Sequence, residues 1–160
     1  SHFKEFLHLY LQPVYDKSTI MLHRTQIRKS SKLNKLLSDN QKCLKEIYNE
    51  LKQEHRGVTL GATQDMLSLV TELRLSYESQ QQAFVFSMMT VIDEFKSMNK
   101  YSYLVFVEFL EMLCRIALIH YQEGNIEYKV YRLLLALWNS RYGQGIWEPH
   151  EHPLIPVVEE

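Results

Sequence analysis

The side chains best suited to chemistry crowd toward the C-terminal end. Glu148, His150, Glu151 and His152 put two imidazoles and two carboxylates within five positions, a composition that suits zinc. Successive side chains alternate in an extended chain, so His150 and His152 share one side without a rigidly placed third ligand. No metal site is expected there. His8, His23, His55 and His120 are dispersed, with no nucleophile or acid at a regular spacing beside them. Neither a glycine-rich phosphate loop nor a G-x-S-x-G elbow occurs. Cys43 and Cys114 each sit among apolar residues at helical spacing, which reads as two reduced core thiols in an intracellular protein. The chain is therefore expected not to be an enzyme, with no catalytic, cofactor-binding or metal-binding residue and no cofactor.

A second constellation lies mid-chain, in SMNKYSYLVFVEFLEMLCRI over residues 97–116. Leu104 is followed by Glu108 and Phe109, and then by Met112, Leu113 and Ile116 at helical spacing. This wording resembles the loop end and exiting helix of an EF-hand, the unit of the calmodulin-like helix–loop–helix superfamily. The resemblance makes Glu108 the twelfth loop position, Ser97 the first, Asn99 the third, Tyr101 the fifth and Ser102 the sixth. A calcium loop wants acids or amides at the first of these and glycine at the sixth, so only Asn99 and Glu108 carry over. The implied identity is a degenerate, non-calcium-binding member.

By the same resemblance, Tyr15–Gln26 has the length of a loop, with Leu22 at the eighth position and Gln26 replacing the ligating glutamate. Gly57 and Gly61 bracket Val58–Leu60 as a turn, a short extended bridge and a second turn, with Leu60 as that loop's eighth residue. Paired EF-hands join their loops through a short antiparallel bridge, so Ile20–Leu22 and Val58–Leu60 are the implied partners. The third loop is left without a mate.

The elements that would position these loops are helical. Glycine numbers 5 and proline 4 in 160 residues, too few for a turn-rich sheet protein. Phe3–Val14 has helical apolar spacing. Ile27, Leu33, Leu36 and Leu37 continue a second helix among Arg28, Lys29, Lys32 and Lys35, a basic run that reads as a solvated face or a docking surface for an acidic partner. Asp39 or Asn40 caps a helix carrying Cys43, Leu44, Ile47, Tyr48 and Leu51. Helices are further expected over Gln64–Leu75, over Gln80–Phe95 and from residue 104 to a C-cap at Gly124–Asn125. A last amphipathic helix carries Val130, Leu133, Leu134, Leu137 and Trp138. Beyond it the glycines and prolines of the tail favour an extended path that Trp147, Leu154 and Ile155 can pin down. The expected fold is all-α: EF-hand-like units with an added C-terminal helix and extended tail. Its divisions are a paired lobe over 3–77, a third unit over 80–124, and the helix and tail over 125–160.

Charge narrows the function. Lys and Arg number 18 against 19 Asp and Glu, which gives neither a nucleic-acid footprint nor a strongly acidic surface. No apolar run of membrane-spanning length occurs, so neither a membrane nor a nucleic acid is expected as partner. The chain starts without an initiator Met and reads as a piece of a longer polypeptide. Phe84, Met88, Ile92, Phe106, Leu110 and Leu113 form a broad apolar surface, and methionines of this kind line target-binding grooves in calcium sensors. These six residues and Trp138 are the candidate partner-binding residues. The partner is a protein helix or extended peptide, with the chain's own C-terminal helix as the favoured occupant. The expectation is a calcium-independent interaction module of a larger intracellular, cytoplasmic protein, in a cytoskeletal or ciliary setting by resemblance. The alternative is a calcium-responsive sensor that binds target helices.

Overall fold

The stretch Phe106–His120 folds as one helix, and almost every side of it is buried. Phe109 and all seven residues from Glu111 to Ala117 are shielded from solvent, so this helix is the centre of the molecule rather than one of its walls. The computed structural model describes residues 17–88 and 103–143. Those residues form α1 (Lys17–Lys29), α2 (Ser31–Asp39), α3 (Gln41–Lys52), β1 (Val58–Thr59), α4 (Leu60–Ser68), α5 (Tyr77–Ser87), β2 (Tyr103–Leu104), α6 (Phe106–His120) and α7 (Ile126–Tyr142). The chain is thus mostly helical, and among the described residues no helix is long and apolar enough to cross a membrane.

α6 packs against α5 on one side and α7 on the other, with α1 and α3 also touching it. The buried apolar residues form one cluster running from Ile27 to Trp138. The expected stripes supply it: Leu33 and Leu36 from α2, Cys43, Leu44, Ile47 and Tyr48 from α3, and Val130, Leu133, Leu134, Leu137 and Trp138 from α7.

The loop pairing differs from the expected one. β1 pairs antiparallel with β2, Val58 opposite Leu104 and Thr59 opposite Tyr103, so the second loop's mate is the third. Ile20–Leu22 lies inside α1 and is not a strand. No glycine or proline occurs between residues 14 and 56, so neither breaker sets Ile20–Leu22 off from the helix around it. The register also puts Val58, and not Leu60, across from Leu104. Val58 and Leu104 are both fully buried, whereas Leu60 already begins α4. The result is two successive helix–strand–helix halves, α3–β1–α4 and α5–β2–α6, joined at their strands.

Several caps shift the expected boundaries. Ser30 stops the helix predicted through Ile27–Leu37: extended at ψ 106°, it accepts a hydrogen bond from the Leu33 amide at 3.1 Å and starts α2. Asn40 does not cap α3 with its side chain. Its amide nitrogen instead donates to the Leu36 carbonyl at 2.9 Å, closing the end of α2. Thr59 caps α4 by accepting from Ala62, so that helix starts four residues before Gln64 and ends at Ser68, and Gly61 is helical rather than a turn. Ser76 caps α5 by accepting from Ser79, and α5 ends where Met88 turns extended at ψ 123°. α6 ends at His120, and Asn125 opens α7, accepting from the Tyr128 amide at 2.9 Å. The expected helix over Phe3–Val14, the loop positions Ser97, Asn99, Tyr101 and Ser102, and the tail with Trp147, Glu148, His150, Glu151, His152, Leu154 and Ile155 lie outside the described residues.

Candidate interaction site

Of the seven residues predicted to bind a partner, the fold places most in the interior. Phe84 from α5, Met88 just past its end, Leu113 from α6 and Trp138 from α7 are buried, while Phe106 and Leu110 are partly so and pack on the core's edge. Ile92 lies outside the described residues. The apolar surface foreseen on the third unit is divided between two neighbours: the α3–β1–α4 half meets it through the strand pair and through α3, and α7 lies along α6. Trp138 is wholly buried and its ring stands 6.3 Å from that of Tyr142, edge to face.

Phe106 keeps an outward aspect. Its ring stands edge-on to Tyr48 at 5.4 Å, and the Lys45 ammonium lies 4.4 Å above it. Val105 and Val107 on either side are exposed, at 46% and 57%. Tyr48 fixes the strand pair from beneath, its hydroxyl donating to the Leu104 carbonyl at 3.2 Å. Burial, helped by the nearby Glu108 carboxylate, holds the Tyr48 phenol above its ordinary range.

The two strand ends differ in how they start their helices. In the first half the Thr59 hydroxyl accepts from the Ala62 amide at 3.2 Å. In the second, valine stands in the place of threonine and has no acceptor to offer. There Glu108 supplies the cap from the other direction, its Oε1 accepting from the Val105 amide at 2.9 Å. Each half thus keeps one side of a reciprocal capping pair.

A buried ionic cluster was not foreseen from sequence. Glu111 and Arg115, one helical turn apart on α6, meet at 3.3 Å between Oε2 and Nε. Arg24 reaches in from α1, its Nε 3.5 Å from Glu111 Oε1 and its Nη2 donating to the Phe86 carbonyl at 3.0 Å. A helix buried all round cannot leave a glutamate and an arginine facing apolar neighbours, so the ions pair with one another and with α1. Burial pulls the Arg115 pKa below its usual value, with Glu111 opposing that shift. Cys114, beside them, is pushed up to about 12 by burial and then by Glu111, which leaves it an unreactive thiol at neutral pH. Burial, seconded by Glu46, also raises Cys43. Both cysteines are buried, as expected of core thiols.

A cavity of about 370 Å³ is lined by Glu72, His120, Tyr121, Gln122, Glu123 and Arg132. Tyr121 donates its hydroxyl to Glu72 on the segment between α4 and α5, and Arg132 of α7 stacks 4.4 Å over its ring. Burial, then the hydrogen bond to Glu72, raises the phenol far above neutrality, so Tyr121 serves here as a hydrogen-bond donor that ties the connecting segment to α6 and α7. Among the described residues no group of three His, Cys, Asp or Glu side chains converges as a metal site would require.

Comparison with protein-family models, curated proteins and solved structures finds no match to the chain.

Proposed function

We propose that this chain is a calcium-independent protein–protein interaction module with EF-hand-like architecture, acting within a larger intracellular protein of the cytoskeletal or ciliary kind that its wording resembles. The observation that carries the reading is what has become of the carboxylate at the end of each loop. In the second half Glu108, the twelfth loop position by resemblance, spends one carboxylate oxygen on the Val105 amide at the start of α6. In the first half the corresponding position, three residues after the cap, is Ala62, which has no oxygen to give a cation. The two strands pair as the bridge of an EF-hand pair would, while the group most important to a calcium ion is a cap in one copy and a methyl in the other.

Calcium titration tests this directly. A ligand that does not bind the native state cannot stabilise it, so millimolar calcium should leave the melting temperature where a chelator leaves it. A calcium-dependent rise of several degrees would instead establish the sensor reading.

A further inference from the structure

We propose that the outer face of α1 and α2 is where the module takes its partner, and that the partner is an acidic, amphipathic peptide segment; this rests on the interaction-module reading above. Residues 22–38 contain Arg24, Arg28, Lys29, Lys32 and Lys35 and no Asp or Glu. Two of these cations are already engaged: Arg24 turns inward to Glu111, and Lys35 pairs with Asp39 at 3.0 Å. Arg28, Lys29 and Lys32 are exposed, and no ion pair holds them among the described residues.

Among the described residues the neighbouring elements do not neutralise this face. α7 brings Glu127, whose carboxylate accepts from the Ser30 hydroxyl at 3.4 Å, but also Lys129, and α6 brings Glu111 together with Arg115. His23, on the same helix, is held below its ordinary pKa first by burial and then by Arg115 and Lys129. Leu22 is 57% exposed and shares an outward stripe of α1 with Gln26 and Lys29, at i, i+4 and i+7. One apolar foothold in line with Lys29, on a helix pair whose other unpaired exposed cations are Arg28 and Lys32, matches a helical segment with a leucine-like anchor and carboxylates at helical spacing.

Nucleic acid and membrane fit less well. A polyanion feels the whole molecule, whose formal net charge is −1, and nucleic-acid binders of this kind carry a strong basic excess. Recognition of an anionic bilayer generally takes a cluster of four to eight cations, more than this face presents unpaired. Short-range pairing with a peptide's carboxylates needs only the local charges.

The probe is a fluorescein-labelled helical peptide of about 16 residues, with glutamates at i, i+3 and i+4 flanking a central leucine. Anisotropy titration of the full chain should show saturable binding that weakens as salt is raised. The charge reversals Lys29→Glu with Lys32→Glu should weaken it about tenfold or more. Leu22→Ser should weaken it severalfold, with the far-ultraviolet circular dichroism unchanged because all three positions are exposed. Unaltered affinity in the charge-reversed chain would overturn the proposal, as would tighter binding to oligothymidylate or phosphatidylserine vesicles than to the peptide. Repeating the titration in calcium and in chelator separates the two readings. Binding only with calcium would remove the calcium-independent function but leave this surface in place, whereas no binding in either condition would overturn the surface alone.

Discussion

Replacing Glu111 by glutamine tests whether the buried ions hold α1 to the centre of the molecule. The two side chains have nearly the same shape, so the substitution removes charge and little else. In the folded chain one carboxylate faces two guanidinium groups, at 3.5 Å from Arg24 and 3.3 Å from Arg115. Each such attraction is about 4 kcal/mol at an effective dielectric of about 20. Against their loss stands the recovered desolvation of the carboxylate, several kcal/mol for a buried ion. The remaining guanidinium groups then repel each other across a neutral amide. The net expectation for Glu111→Gln is a loss of about 3 kcal/mol, the low end for breaking a buried ion pair from one side. Urea unfolding followed by circular dichroism reads this as a lower midpoint at unchanged slope, and thermal melts should drop by about 6–12 °C for a chain of this size. Repeating the substitution with Arg24→Met in place should cost noticeably less, with a coupling of about 1–3 kcal/mol between contacting ions. A loss below about 1 kcal/mol, or purely additive losses, would show that Arg24 and Glu111 do not act together.

The strand pair gives a contrast between two glycines. A methyl at Gly57 would run into the Leu104 carbonyl oxygen and lie 2.7 Å from the Tyr103 ring, whereas at Gly61 it meets open space within α4; Gly57→Ala should therefore cost about 2 kcal/mol and Gly61→Ala should stabilise by about 0.5 kcal/mol in the same urea assay. His23 sets a pH dependence. Because its folded pKa is depressed below 6.5, the unfolded chain binds the proton first, so stability should fall as pH drops through 6.5 toward the folded value, and His23→Gln should flatten that slope. Deleting residues 126–160 should leave the face of α6 that α7 covers open to solvent, and sedimentation should show self-association; a truncated chain that stays monomeric and equally stable would mean that α7 contributes little to the core.

The helical stripes were legible because apolar residues recur every three or four positions, and that period survives whatever packs against it. Leu33 and Leu36, Leu44 and Ile47, and Leu133 and Leu137 could be placed without knowing their neighbours. The loop partners could not. A strand of two residues has no period to read, so the choice between Ile20–Leu22 and Tyr103–Leu104 as mate for Val58 was left to a resemblance, and it fell on a segment that is helical. The Ser30 break did carry a signal, two serines ahead of Leu33, but the surrounding apolar spacing ran straight across it. Glu111 and Arg115 were visible as a pair four apart. Their burial was not, because it depends on helices arriving from both sides and on an arginine far away in sequence.

Burial also decides how a partner can approach. The residues first assigned to a binding groove lie largely inside, so a protein that used them would have to displace α7 from α6. That step would uncover Val130, Leu133, Leu134, Leu137 and Trp138 from one side and their contacts on the other. At about 1.5–3 kcal/mol for each large apolar side chain, the α7 residues alone amount to roughly 10 kcal/mol. The whole stability of a domain is only about 5–15 kcal/mol. Displacing α7 would therefore cost nearly as much as unfolding the module, unless the incoming helix replaced those contacts almost one for one. Among the described residues, a partner of the folded chain would instead meet what is already outside: the cations and Leu22 on α1 and α2, the exposed Val105 and Val107 beside Phe106, and the exposed Leu69 and Tyr77. Of these, the first combines an apolar anchor with unpaired charge of one sign, and so can select a partner as well as hold it.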